Sequence, residues 1–155
     1  MGWGASLYLC LGSPKFYRER AGELKLTARH LGFLHAVPKD WDRSRWQAHV
    51  EATKQEPPLP KLEAGSYMVD ELFTIGAFRS GAMGGFIALS WQEVDAFARI
   101  TGRIKEPWEA ELLVKMSREY VKGLQIGSEP MGIPPFNGGK LAVVVSGQLG
   151  AVLGA

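Results

Sequence analysis

Two neighbouring stretches in the second half of the chain carry more helix-defining signals than any other part of the sequence. In the first, Ser90 stands three residues before Glu93. This is the spacing of a capping box, in which the two side chains bond backbone amides at a helix start. Leu89 and Val94 flank this start at the positions of a hydrophobic staple. The sequence therefore predicts a helix over about 90–101.

The second stretch begins at Pro107, a residue that favours the first turn of a helix because its φ angle is already helical. Large apolar residues then recur every four positions, as they do along one face of a helix. They are Trp108, Leu112, Met116 and Tyr120. Gly123 is expected to end this helix, which gives a range of about 107–122. The short connection between the two helices predicts an αα-hairpin.

The residues before this hairpin divide into helical stretches and a proline-rich linker. Apolar spacing predicts one helix over 16–36 and a shorter one over 41–54, with Asp40 as the N-cap of the second. Three prolines within residues 55–60 exclude a helix interior or a central strand. We therefore expect a linker there.

Length and composition favour one main core. The chain has 155 residues, 46% of them hydrophobic, which is enough for one sizeable core. We expect a mainly α fold: a small helical domain with the αα-hairpin, Gly/Pro-rich linkers and an apolar C-terminal tail that could be extended. By composition the chain divides into a basic helical region over 1–60, a hairpin domain over 61–125, and a linker with an apolar tail over 126–155.

Both ends of the chain are apolar but too short to span a bilayer. Residues 1–12 lack the basic start of a signal peptide, and they are expected to form a buried strand or a packed arm. Residues 141–155 carry no charge, yet a spanning helix needs roughly 20 residues. We expect no membrane partner, and we expect the tail to need a surface on this chain, on another protein or on a second copy.

The reactive residue types form no recognisable catalytic or metal-binding pattern. Cys10 is the single cysteine, and His30 and His35 are five residues apart, which is off the i,i+4 spacing that lets two imidazoles share a metal. The glycines of residues 76–85 lack the Lys-Ser/Thr ending of a phosphate-binding loop. We therefore expect no enzyme activity, no metal and no cofactor.

Two other function classes would each leave a defined signature. An enzyme would need groups distant in sequence, such as His49 with Glu71, in one polar pocket. A nucleic-acid-binding adaptor would gather the basic residues of 15–54 on one face. The formal net charge of +2 disfavours nucleic acid as a partner, because binding its backbone requires a large excess of cations.

Six apolar side chains are candidate contacts for a protein partner. The Phe and Met residues lie in or beside a Gly-rich stretch, where a flexible backbone gives apolar contacts an adaptable shape. Each tryptophan opens a helix of the hairpin, where core packing is favoured over projection to a partner. The six residues are Phe73, Phe78, Met83, Phe86, Trp91 and Trp108.

Three stretches of the sequence resemble a known protein family. They are Glu71-Leu-Phe through Gly81-Ala-Met-Gly, Leu89-Ser-Trp-Gln-Glu-Val-Asp-Ala-Phe-Ala-Arg-Ile-Thr-Gly, and Pro107-Trp-Glu-Ala-Glu-Leu-Leu-Val-Lys-Met-Ser-Arg-Glu-Tyr-Val. They are similar to small proteins encoded in the tail modules of long-tailed bacteriophages and prophages, which are regarded as tail assembly chaperones. The similarity covers about residues 71–135, and its patterns concern helix capping and packing.

The resemblance implies a small, helical, non-enzymatic protein in the cytoplasm of the bacterial host. Proteins of that family are thought to coat the tape-measure protein and to bring tail-tube subunits to it. By this resemblance the chain is expected to bind the phage tape-measure protein and the tail-tube protein. Residues 1–60 and 140–155 lie outside the similarity.

Overall fold

The computed structural model describes residues 14–137, and the side chains of residues 20–137. This part of the chain is mainly α, as predicted. Its helices are α1 (Pro14–His35), α2 (Arg45–Thr53), α3 (Tyr67–Ile75), α4 (Trp91–Thr101) and α5 (Pro107–Ser128). Two short strands, β1 (Arg79–Ser80) and β2 (Phe86–Ile87), pair antiparallel between α3 and α4. The expectations for residues 1–12 and 140–155 lie outside the described residues.

The predicted start of α4 is confirmed in its details. The Ser90 amide donates to the Glu93 carboxylate at 2.7 Å, and the Glu93 amide donates to the Ser90 hydroxyl at 3.4 Å. Leu89 and Val94, the two residues of the predicted staple, are both buried. Local signals alone therefore define where this helix begins.

The start of α5 is held by a buried carboxylate. Glu109 accepts hydrogen bonds from the amides of Lys105 and Glu106, at 2.9 and 3.0 Å, and from the Tyr67 hydroxyl at 2.8 Å. Burial by itself would raise the pKa of Glu109, but these donors hold the pKa below its ordinary value. The same side chain thus caps α5 and attaches α3 to it.

The predicted end of α5 is wrong, because the helix continues through Gly123 to Ser128. Gly123 is buried where α5 crosses α1. A Cβ atom on Gly123 would overlap the carbonyl oxygen of Arg29 and lie 2.8 Å from the amide nitrogen of Phe33. In real structures a Cβ atom essentially never lies within 3.0 Å of a heavy atom that is not a close neighbour along the chain. This glycine therefore serves helix packing and not helix termination.

Two further glycines extend the same close crossing. A Cβ atom on Gly127 would lie 2.5 Å from the Phe33 carbonyl oxygen, and one on Gly32 would overlap the backbone of Tyr120. Because residues 29 and 33 face residues 123 and 127 in the same order, α1 and α5 run in the same direction at this crossing. The contact between α1 and α5 is far more extensive than the contact between α4 and α5. The central pair of long helices is thus α1 with α5, and α4, the other helix of the predicted αα-hairpin, packs at its side.

The hydrophobic core is built on the pair formed by α1 and α5. Buried apolar side chains of both helices meet those of α3 and of the residue before α4, so residues on either side of the 55–60 linker share one core. The largest of these fully buried apolar side chains are Leu24, Leu34, Met68, Leu72, Leu112, Leu113 and Met116. Within residues 14–137, no helix is both long and apolar enough to cross a membrane.

The start predicted for α2 is wrong by four residues. Asp40 does not cap this helix, because it has a positive φ of 67° in the turn that precedes it. Ser44 is the N-cap, and its hydroxyl accepts from the Gln47 amide at 3.2 Å. The competing signal was a second capping box, formed by Ser44 and Gln47, inside the range predicted to be helical.

Arg45 connects α2 to the end of α5. Its guanidinium donates to the carbonyl oxygens of Gly127 and Glu129, at 2.8 and 2.6 Å, and lies 4.5 Å from the ring centroid of Phe33. These bonds satisfy carbonyl groups at a helix end that lack partners within the helix. Residues 55–60, as predicted, and residues 129–137 form neither helix nor strand.

Candidate protein-binding site: an aromatic face

Six aromatic rings from separate parts of the fold form one continuous series of contacts. The centroids of neighbouring rings are between 5.2 and 6.0 Å apart, within the range of favourable aromatic pairs. In order of contact the rings are Trp46, His35, Phe73, Tyr120, Phe78 and Phe86. We call this cluster the aromatic face.

The aromatic face combines a fixed base with accessible rings. Tyr120 is buried at its centre, whereas Phe73 and Phe86 are each 40% exposed. Exposed aromatic area on a pre-positioned support is typical of the residues that contribute most to protein–protein binding, since little side-chain freedom remains to be lost. The arrangement is therefore suited to bind an apolar segment of another protein.

A hydrogen bond between His35 of α1 and Tyr120 of α5 joins two helices within the aromatic face. His35 Nδ1 and the Tyr120 hydroxyl are 2.8 Å apart. Burial raises the pKa of Tyr120 to about 12, and desolvation lowers the pKa of His35. At neutral pH the hydroxyl therefore keeps its proton and can donate it to the uncharged imidazole.

Ser117 of α5 holds both ends of the β-hairpin. Its hydroxyl donates to the Ala77 carbonyl oxygen at 2.7 Å and accepts from the Leu89 amide at 2.8 Å. All three groups are buried. One side chain thus fixes the chain just before β1 and just after β2, and so positions Phe78 and Phe86 against Tyr120.

The segment predicted to be a flexible Gly-rich loop forms this hairpin instead. The Gly81 amide donates to the Gly85 carbonyl oxygen at 2.7 Å, and Gly84 has a φ of 78°, which favours glycine. Arg79 forms an ion pair of 2.8 Å with Glu93 and so attaches β1 to α4. Met83 lies at the tip of the turn and is 99% exposed.

The structure brings together three of the six candidate binding residues. Phe73, Phe78 and Phe86 belong to the aromatic face, and Met83 projects from the hairpin that carries Phe86. Trp91 and Trp108 lie at the starts of α4 and α5, where they are 52% and 39% exposed. The prediction that these two tryptophans pack in the core is therefore wrong, because both rings are partly exposed.

Sequence reasoning did not find the other half of the aromatic face. Tyr120 was assigned to the stripe of α5, and no role in binding was expected for His35 or Trp46. These residues come together only through the crossing of α1 with α5, over a separation of 85 residues between His35 and Tyr120. No local pattern in the sequence signals such a contact.

The structure gives no support to the enzyme that would use His49 with Glu71. The Glu71 carboxylate forms an ion pair with Arg103 at 2.7 Å, and its second oxygen is buried without a hydrogen-bond partner in the described part of the chain. His49 is buried on α2, and its Nδ1 has no partner among these residues either. Residues 14–137 also contain no group of three His, Cys, Asp or Glu side chains that could hold a metal ion.

The basic residues of 15–54, which we call the basic zone, are engaged in part within the protein, as far as the side chains of residues 20–54 show. Several of them are paired with acidic side chains, and Arg45 is engaged with backbone carbonyl groups. The ion pairs are Arg20 with Glu23 and Glu63, Arg29 with Glu119, Lys39 with Glu129, and Arg43 with Asp42 and Glu51. The aromatic face is therefore the better candidate site.

Comparison of the chain with protein-family models, with curated proteins and with solved structures finds no match.

Proposed function

We propose that this protein is a non-catalytic tail assembly chaperone of a long-tailed bacteriophage or prophage, which binds the tape-measure and tail-tube proteins in the cytoplasm of the bacterial host. The observation that carries the proposal is the aromatic face, with Phe73 and Phe86 each 40% exposed on a buried base. The resemblance of residues 71–135 to that family supplies the identity of the partners. It covers the second half of α3, the β-hairpin, α4 and α5, which include four of the six rings.

The chemistry of the aromatic face suits a transient partner. Aromatic rings and the exposed Met83 offer apolar area that accepts segments of differing shape. A binding surface made of such side chains favours moderate affinity and release, which a chaperone requires. Trp91 and Trp108 add exposed apolar area at the starts of α4 and α5.

Nucleic-acid binding is the weaker alternative. Among the described side chains of the basic zone, Arg20, Arg29, Lys39 and Arg43 form ion pairs within the protein, which reduces the charge that they could offer to a phosphate backbone. The exposed side chains of the aromatic face carry no positive charge. We therefore do not assign the basic zone a nucleic-acid partner.

Phe73→Ser and Phe86→Ser are each expected to weaken binding to the tape-measure or tail-tube protein at least about tenfold, which is about 1.4 kcal/mol. The reason is that each change removes an exposed ring from the aromatic face without placing a polar group in the core. Affinities are measured by titration calorimetry with the purified tail proteins.

Ile100→Ser is the matched control, because Ile100 is an exposed apolar residue of α4 that does not belong to the aromatic face. This variant should bind within about twofold of the wild type. Wild-type protein that is folded but binds neither tail protein would refute the proposed function. Wild-type affinity in both Phe variants would refute the assignment of the surface.

A further inference from the structure

His30 lies where residues 55–60 and the segment that follows α5, residues 129–137, meet α1. Its side chain is fully buried, at 0% exposure. The imidazole stacks on Phe33 at 6.2 Å with an interplanar angle of 12°, and Phe136 packs edge-on against it at 5.5 Å. Its Nε2 lies 3.1 Å from the carbonyl oxygen of Pro58. One side chain therefore contacts both the 55–60 linker and the C-terminal segment.

The hydrogen bond defines the protonation state of this histidine. A carbonyl oxygen only accepts, so Nε2 carries the proton and donates it to Pro58. Nδ1 is buried and has no hydrogen-bond partner in residues 14–137. Burial lowers the pKa of His30 below its ordinary value, although the bond to Pro58 acts in the opposite direction.

The surroundings of His30 hold no charge that would compensate a second proton. No carboxylate forms an ion pair with His30 in the described part of the chain, where the imidazole contacts the Phe33 ring, the Pro58 carbonyl and the Phe136 ring. The Phe33 ring also carries the Arg45 guanidinium, 4.5 Å from its centroid. A proton on Nδ1 would thus create a buried cation without an acceptor among these residues.

Residues 129–137 are held at their start by Arg45 and Lys39, and further along by the contact between Phe136 and His30. Arg45 and Lys39 hold Glu129, and Arg45 also reaches the Pro130 carbonyl oxygen. After that point Met131 and Ile133 are exposed, whereas Phe136 packs against His30. Gly132 is also tied to the end of α5, because its amide donates to the Glu129 carbonyl oxygen at 2.9 Å. Loss of the contact between His30 and Phe136 would therefore free residues 133–137 while leaving the end of α5 in place.

We propose that His30 is a proton-operated clasp, which holds residues 133–137 against α1 while its imidazole is neutral and releases them when Nδ1 is protonated. In the released state His30 is exposed to water and binds a proton with the affinity of an ordinary histidine. Protonation therefore pulls the equilibrium toward release. The clasp acts independently of whichever protein occupies the aromatic face.

The direction and size of the pH effect on the release equilibrium follow from proton linkage. Because His30 binds its proton more weakly in the closed state, the equilibrium constant for release rises as the pH falls below about 6.5, by up to about tenfold per pH unit. Cleavage after Phe136 by a chymotrypsin-like protease measures this constant, because the Phe136 ring must leave His30 before the protease can bind it. The rate is divided by the cleavage rate of a free peptide of residues 128–142 at the same pH, which removes the pH dependence of the protease itself. We expect the corrected cleavage rate at about pH 5.5 to be several-fold higher than at about pH 7.5.

Two variants separate the clasp from general acid sensitivity. His30→Gln keeps an amide donor for Pro58 but cannot titrate, so the pH dependence of the corrected cleavage rate should disappear. His49→Gln removes another buried histidine and should leave that dependence unchanged. A wild-type chain cleaved at the same corrected rate at both pH values, or a pH dependence that persists in His30→Gln, would overturn the proposal.

A second measurement does not require His30 to be replaced. NMR titration of the His30 ring should give a pKa below 6.5 in the wild type, and Phe136→Ala should move the pKa up toward that value because the ring becomes hydrated. An unchanged His30 pKa in Phe136→Ala would show that Phe136 does not close the clasp and would also overturn the proposal.

Discussion

Gly123→Ala is expected to lower the free energy of unfolding by about 3 kcal/mol or more, because the new methyl group has no room at the α1–α5 crossing. The atoms that it would meet are the carbonyl oxygen of Arg29 and the amide nitrogen of Phe33. Both belong to helix backbone and cannot rotate away, so the two helices must move apart and the core beneath them must open. Chemical denaturation followed by circular dichroism measures the change.

Gly22→Ala is the matched control for this substitution. Gly22 is an exposed residue within α1, and an added Cβ would meet no atom within 4 Å. The same change should therefore stabilise the protein by about 0.5 to 1 kcal/mol, which is the ordinary gain in helix propensity. A stabilising Gly123→Ala would contradict the close crossing, because propensity would then outweigh packing at that position too.

Ser117→Ala is expected to cost about 2 to 4 kcal/mol, since it leaves two buried backbone groups without partners. These groups are the Ala77 carbonyl and the Leu89 amide, one on each side of the hairpin. The amide of Leu89 should also exchange faster with solvent. Because the hairpin carries Phe86, binding to the aromatic face should weaken in parallel.

Ser80→Ala serves as the control, because Ser80 lies on the same hairpin with its side chain exposed. Its effect on stability should remain within about 0.5 kcal/mol. Should Ser117→Ala prove equally neutral, with the Leu89 amide still protected, the hairpin would have to be positioned by other contacts.

The starts of α4 and α5 could be predicted from the sequence, but the start of α2 and the end of α5 could not. The start of α4 at Ser90 and Glu93 depends on residues three positions apart, and the start of α5 at Pro107 is equally local. Gly123 was misinterpreted because the local preference of glycine is to end a helix. Its contact with the backbone of Arg29 is tertiary, and this contact decides the outcome.

The same distinction between local signals and tertiary contacts explains which residues of the aromatic face could be predicted. Phe73, Phe78 and Phe86 could be proposed because they lie near one another in a Gly-rich stretch. Tyr120 and His35 could not, because the sequence does not reveal that α1 and α5 are the central pair. Only this pairing turns three separate phenylalanines into one surface with a buried base.

The apolar residues that recur every four positions along α5 differ in how deeply they are buried. Leu112 and Met116 are buried in the core, and Tyr120 forms the base of the aromatic face, yet Trp108 is exposed at the helix start. Spacing by four places residues on one side of a helix, but other elements must cover that side along its whole length for burial to follow. Here the first turn of α5 is left partly uncovered.

The most direct test of the account is an NMR footprint of the tail proteins on this chain. Isotope-labelled protein is titrated with unlabelled tape-measure or tail-tube protein at neutral pH. We predict that the largest shift changes or line broadening fall on Phe73, Phe78, Phe86 and the hairpin amides around Met83, with little change at Ile100. Perturbations confined to the basic residues before Lys54, with the aromatic face unchanged, would contradict the proposed binding surface.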